Sequence, residues 1–273
     1  MNAAEEFFKM AHELISKGEP FAVATVVKIT GSSSAKPGAK VIINKKGETL
    51  FGWIGGGCAE SMVAAEAVTS LKDGKTRIVY VDLTDEVLGA GMPCGGSMEV
   101  YVEPFLPKPH LLIVGHGKIA ETLAQLGQML NFRVTVDDPA ATEDKFAGCQ
   151  IITQDPDFSR MEITPDTYVV IATQHKSDHL SMKKAIDDGA RYIALIASKK
   201  RAGLVFEYLR EQGVSEERLR EIRAPAGLDL GAITPQEIAL SIMSEIVLMR
   251  RSGTGKPLTE LKRARATAQT RLS

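Results

Sequence analysis

Apolar and polar positions along this chain fall into two different arrangements, and the change comes just after residue 104. Residues 2–17 carry Phe7, Phe8, Met10, Ala11, Leu14 and Ile15 on one stripe, which predicts an amphipathic helix, and Gly18 and Pro20 close it. FAVATVVKI (21–29) then reads as a strand rich in β-branched residues. A long polar loop, TGSSSAKPG (30–38), separates it from two further strands, AKVIIN and ETLFGW. IGGGC (54–58) leads into a helix over 59–71, and TRIVYVDL and SMEVYVEP supply the last strands of this half.

The segment PFLPKP (104–109) has three prolines in six positions, which disfavours a helix or an inner strand. A domain boundary is expected there. Beyond it strands and helices alternate: LLIV (111–114), RVTV (133–136), CQII (149–152), YVVIAT (168–173) and YIALIA (192–197), with helical segments between most of them. That alternation is the pattern of a parallel sheet. Thr234-Pro235-Gln236-Glu237 marks a helix start, with a threonine cap, a proline in the first turn and a glutamate three residues after the cap. The expected chain is therefore α/β, a C-terminal Rossmann-type parallel sheet domain (110–251) preceded by a smaller mixed α+β domain (1–104). A polar, basic tail (252–273) follows, and no internal repeat is visible.

Composition adds exclusions. Apolar residues make up 44% and charged residues 25%, with a net charge of −1. This is a globular balance without the basic excess that nucleic acid or anionic membrane would require. No apolar run is long enough for a membrane span, and three glutamates in the first thirteen residues argue against a secretory leader. Three cysteines without framework spacing fit a reducing, cytoplasmic setting.

The densest chemical signal is LLIVGHGKIAETLAQLGQMLNFRVTVDD (111–138). A strand runs straight into Gly115-His116-Gly117-Lys118-Ile119-Ala120, then a helix, then a second strand ending at Asp137-Asp138. This is G-x-G-x-x-A: Gly115 permits the tight turn, Gly117 lets backbone approach a pyrophosphate, and Ala120 lets the helix pack closely. Free N–H groups and the helix dipole would meet the phosphate charge. Asp137, twenty residues after Gly117, is placed to accept hydrogen bonds from ribose hydroxyls, which favours NAD over NADP. His175 and Asp178 follow the strand YVVIAT, at the end of a parallel strand where such sheets hold ligands. Asp178 reads equally as a helix cap, and His175 as a surface residue. The turn-rich stretch with Gly227, Asp229 and Gly231 suggests close packing, or a plain tight turn.

Two glycine–cysteine loops stand in the first half. Gly55-Gly56-Gly57-Cys58 opens a helix; three glycines leave N–H groups unshielded, and a cysteine at or near a helix N-cap has a lowered thiol pKa. Gly91-Met92-Pro93-Cys94-Gly95-Gly96 precedes the last strand, and its glycines would leave Cys94 accessible. Thiolate suits transition metals and can carry sulfur as a persulfide. Taken singly, each cysteine reads first as a small apolar residue and each glycine pair as a sharp turn. The two cysteines lie 36 residues apart with no CxxC pair, so spacing gives no zinc site. Cys149 reads as structural.

Together, ITGSSSAKPGAK, IGGGCAES, PCGGSMEVYVEP, GHGKIA ending in VDDP, ATQHKSDH, YIALIASKKR and APAGLDLGAITPQEIALSI resemble the XdhC/CoxI family, the accessory factors of xanthine dehydrogenase and carbon monoxide dehydrogenase. The resemblance reaches to about Arg251. It implies a maturation factor that binds molybdenum cofactor transiently, supports its sulfuration and inserts it into an apo molybdenum hydroxylase. A cysteine desulfurase is an implied partner; separately, apolar residues to spare on the final helix (Pro235–Arg250) point to a homodimer. Gly55, Gly56, Gly57, Cys58, Cys94, Gly95 and Gly96 match the motifs linked to the cofactor, with Cys94 nearest the metal. The serine loop departs from the family in having a single lysine, Lys36, and the segment after Tyr192 has Ala194 and Ala197-Ser198 where glycines are usual. Two other functions fit the fingerprint: an NAD-dependent oxidoreductase with His175 and Asp178 as its acid–base pair, and a nucleotide-sensing binding protein.

Overall fold

The computed structural model describes residues 2–82, 96–173 and 178–261. It separates into two compact units, Met1–Lys108 and Pro109–Ser273. Among the described residues, no helix is long and apolar enough to cross a membrane.

The first unit is an antiparallel sheet with a helix against each face. Helix α1 (Ala3–Lys17) starts at a capping box: Asn2 accepts from the Glu5 N–H, Glu5 accepts from the Asn2 N–H, and Gly18 ends the helix in the left-handed region. Strands β1 (Phe21–Thr30), β2 (Lys40–Asn44), β3 (Thr49–Gly52), β4 (Arg77–Asp82) and β5 (Ser97–Phe105) pair in the order β3-β2-β1-β5-β4. Helix α2 (Gly57–Asp73) lies between β3 and β4 in sequence and covers one face, packing Ala59, Val63, Ala67 and Leu71 on Ala24, Val26, Val79 and Val100. Helix α1 packs against the other face through Leu14, which meets Phe21, Val23 and Ile42.

The second unit has the parallel sheet and flanking helices expected of a Rossmann domain. Strands β6 (His110–Val114), β7 (Arg133–Asp137), β8 (Gln150–Ile152), β9 (Thr167–Ile171) and β10 (Tyr192–Leu195) are ordered β10-β9-β6-β7-β8, each pair parallel. Their side chains are buried because helices cover both faces. Helix α3 (Lys118–Met129) shares one core with α7 (Pro235–Arg251), where Leu123 and Ala124 meet Ile242, Met243 and Ile246. Helices α4 (Asp178–Asp187), α5 (Lys199–Glu211) and α6 (Glu216–Glu221) share the other core with Leu112, Val169 and Ile193. Sequence order reverses between β6 and β9, so the crevice beyond Val114 and Ile171 is the topological switch point where such sheets hold ligands.

At the opposite end of the central strand β6, buried His110 places its ring nitrogens 2.9 Å from the Thr135 hydroxyl and 3.4 Å from the Thr167 hydroxyl. Burial, and then the nearby Arg133, push its pKa down to about 4, so the ring is neutral at ordinary pH.

Candidate functional site

Two places concentrate the sequence signals, one in each unit. In the second unit, β6 ends at Val114 and Gly115 turns sharply. Its N–H donates to the Asp137 carbonyl at 3.0 Å, and its φ is +125°. A Cβ there would lie 2.5 Å from the Ala172 carbonyl oxygen, so only glycine lets the turn nest against the chain leaving β9. Gly117 caps α3 at φ +96° with no side-chain hydrogen bond to the helix, which leaves the first-turn N–H groups to be met by something else. Ala120 is fully buried beneath that turn. The geometry is an anion cradle of the kind dinucleotide folds use.

The acids at the end of β7 are less open. Asp137 is 4% exposed, and its Oδ2 is buried without a hydrogen-bond partner among the described residues. Burial first, then the carboxylate of Asp155 beside it, raise its pKa to about 7. Asp155 is itself held by the Arg160 N–H at 2.9 Å and the Ser159 hydroxyl at 3.2 Å. Asp138 is the more exposed of the two, and His116 of the fingerprint sits 3.0 Å from it, Nδ1 to Oδ1, close but out of line for a hydrogen bond. With a pKa of about 7, this mostly covered carboxyl beside the glycine turn can donate or accept a hydrogen bond at neutral pH.

Sequence reading passed over two contributors here. Gly127 sits in the last turn of α3, and a Cβ there would come within 2.7 Å of the Leu111 side chain, so it sets how closely helix and sheet approach. Arg201 on α5 pairs with Asp178 through Nε at 2.5 Å, and Asp178 is 2% exposed and also accepts from the Thr173 hydroxyl. Asp178 thus serves as a buried anchor joining α4 to α5. His175 lies outside the described residues. Gly227 fits tightly against α7: its N–H donates to Glu245 at 3.0 Å, and a Cβ would lie 2.3 Å from the Ser241 hydroxyl. Tyr192 donates to the same carboxylate at 2.7 Å.

In the first unit, the serine loop meets both the Gly55–Gly57 turn and Gly96. Gly52 leaves β3 at φ +85°, and Gly55, Gly56 and Gly57 all have positive φ, an arrangement closed to other residues without strain. Gly56 caps α2 without a side-chain hydrogen bond, and Cys58 is the second residue of that helix. The Ser34 hydroxyl donates to the Gly55 carbonyl at 3.3 Å, and Ala35 also packs beside Gly55. Gly96, at the entry to β5, is pressed against the same serine loop, where a Cβ would lie 2.4 Å from the Ser32 carbonyl and 2.6 Å from that of Thr30. The serine loop therefore touches both Gly55 and Gly96. Cys94 and Gly95 lie outside the described residues. Among the described residues there is no cluster of three or more histidine, cysteine or acidic side chains fit to hold a metal.

Comparison with known proteins now decides the family. The model of the XdhC Rossmann domain matches residues 111–246, and that of the XdhC and CoxI family matches residues 14–82. The chain belongs to the XdhC/CoxI family. This XdhC/CoxI chain is 30% identical over 256 residues to the uncharacterized protein YqeB of Escherichia coli K12, in an alignment covering 91% of the chain and 47% of YqeB. It spans about half the length of that relative. It is 22% identical over 281 residues to the molybdenum cofactor insertion chaperone PaoD of the same organism, covering 89% of the chain and 87% of PaoD. It is also 24% identical over 331 residues to a probable xanthine dehydrogenase subunit of Bacillus subtilis 168, covering 90% of the chain and 98% of that relative. Both halves of the XdhC/CoxI chain thus carry their own family match, and each contains one of the two glycine-rich sites.

Proposed function

We propose that this XdhC/CoxI protein is a maturation factor that receives molybdenum cofactor as cargo, shields it while its terminal ligand is exchanged for sulfur, and delivers it to an apo molybdenum hydroxylase of the xanthine dehydrogenase type. The observation that carries the reading is the serine loop, whose Ser34 and Ala35 meet Gly55 just before the start of α2 while its Thr30 and Ser32 carbonyls press on Gly96. Bare N–H groups and serine hydroxyls suit the phosphate of a molybdopterin. The likeness to PaoD supports the same cargo. Cys58 is the second residue of α2, and Cys94 precedes Gly96 by two residues. In this reading Cys94 lies nearest the metal and Cys58 assists. A cysteine desulfurase is the sulfur source, and the working form is a homodimer.

The second unit contributes a nucleotide. Its cradle at Gly115 and Gly117 fits a pyrophosphate, and Asp137 is the ribose acid, so NAD is the proposed ligand. His175, which follows β9 in sequence, is assigned to the same ligand in this reading. Buried Asp178, held by Arg201, is committed to anchoring, which favours nucleotide sensing over hydride transfer.

The test is to express the full chain in a molybdenum-replete host, measure molybdenum and oxidised pterin on the purified protein, and add it to an apo-hydroxylase. Cofactor in about equimolar amount and recovery of hydroxylase activity are expected, with Cys94→Ala losing both. A wild-type protein that carries no pterin and activates nothing would sink the reading.

A further inference from the structure

We infer that Trp53 is a stacking platform for the flat heteroaromatic ring of the ligand held at the first-unit glycine turn, an inference that rests on the cofactor-binding role proposed above. Trp53 is the single tryptophan of the chain and is 50% exposed. Large aromatic side chains gain most from burial, so half-open indole beside a ligand-shaped turn needs a reason.

The backbone around it is built to hold the ring outward. At Gly52 a Cβ would lie 2.1 Å from the Lys40 carbonyl, and φ is +85°, so the chain closes directly onto β2 at that residue. The Trp53 N–H then donates to the same Lys40 carbonyl at 3.2 Å, which fixes the peptide. The next side chain, Ile54, goes entirely into the core under α2, and the Ile54 N–H is held by Glu60 at 3.3 Å. With Gly52 and Ile54 both fixed, Trp53 is left at the surface. Its indole Nε1 lies beside Gly56, 3.4 Å from where a Cβ would be. The indole therefore adjoins Gly56, the N-cap of α2, where no side chain caps the helix. The Gly55 end of the turn is met by Ser34, an exposed hydroxyl.

That combination selects a class of ligand. A π-face gains from any flat heteroaromatic ring laid on it, as bases do on the aromatics of single-strand binders. Open amides and hydroxyls gain from an anion. A pterin bearing a phosphate supplies both halves in one molecule, the ring for Trp53 and the phosphate for the turn. An apolar protein side chain would use the indole and leave the amides unmet.

The experiment uses the full chain and molybdopterin freshly released from a purified molybdenum hydroxylase. Because the chain has one tryptophan, its emission reports this position alone. Saturable quenching is expected at the ratio at which pterin co-elutes with the protein. Trp53→Ala is expected to weaken retention roughly tenfold or more, and Trp53→Phe, which keeps a flat ring, to fall between. Inorganic phosphate alone should leave the emission largely unmoved. Far-ultraviolet circular dichroism and a thermal midpoint within a few degrees of wild type would establish that both variants are folded. Wild-type retention of pterin by folded Trp53→Ala, with no change in wild-type emission, overturns the stacking role and leaves the delivery role standing. If wild type retains no pterin at all, both fall together.

Discussion

Asp137 offers a sharp test of the second unit because it makes an uncommon prediction about acid and base. Its carboxyl is moved from the usual value near 3.8 up to about 7, chiefly by burial and then by Asp155. The unfolded chain releases this proton near pH 4, the folded chain near pH 7. Between those values the folded state holds the extra proton, so this group lowers stability as pH rises, by ~1.4 kcal/mol per pH unit and about 4 kcal/mol across the window. His110 acts in the opposite sense. Its folded pKa is lowered to about 4, so between pH 4 and 6.5 the unfolded state holds the extra proton and stability rises with pH by a similar slope. From these two groups alone the wild-type curve is therefore nearly level up to pH 6.5 and drops just above it. Asp137→Asn removes one side of the balance, since an amide of the same shape never ionises. The variant is expected to match wild type near pH 4 and to exceed it by several kcal/mol at pH 8, with stability rising rather than level from pH 4 to 6.5. The assay is urea unfolding of the full chain at pH 5, 6.5 and 8, followed by far-ultraviolet circular dichroism. A variant no more stable than wild type at pH 8, or one whose gain is the same at every pH, would refute the reasoning.

Three further outcomes follow from packing and caps. Thr234→Ala removes the cap that accepts from the Glu237 N–H and should cost about 1 kcal/mol, read as a lower urea midpoint for the second unit. Gly115→Ala forces a Cβ into the Ala172 carbonyl at a left-handed φ; strain of ~1–3 kcal/mol is the minimum expected, along with loss of any NAD heat in calorimetry, and an unchanged protein would contradict the turn. Asp178→Ala leaves Arg201 without its buried partner and should cost ~3 kcal/mol, whereas pairing it with Arg201→Leu should recover part of that loss.

How much of this was readable beforehand depends on how local each signal is. The strands at Leu111–Val114 and Tyr168–Ile171 announce themselves because parallel strands covered on both faces are unbroken apolar runs. Helix α7 is legible at its start because Thr234, Pro235 and Glu237 each do one step of the capping chemistry. Asp137 is different. An acid at the end of a second strand reads the same whether it faces a ribose or another carboxylate, and Asp155 lies in an irregular stretch with no period to place it. Gly127 reads as a cost to α3, since only the approach of Leu111 and Val134 makes a side chain there too large. The nesting of Gly96 into the serine loop is likewise a contact between segments far apart in sequence. Trp53 could have been noticed as a lone tryptophan before a glycine triplet, although its exposure depends on the closure at Gly52.

The pairing of α3 with α7 has a consequence for synthesis. Ala239, Ile242, Met243 and Ile246 complete the apolar layer that α3 begins, yet they are translated more than a hundred residues after it. Until they leave the ribosome, the face of the nascent sheet that α3 covers only in part stays half bare, at the stage when sticky intermediates meet one another. A message cut short before α7 should therefore yield insoluble product rather than a smaller working domain.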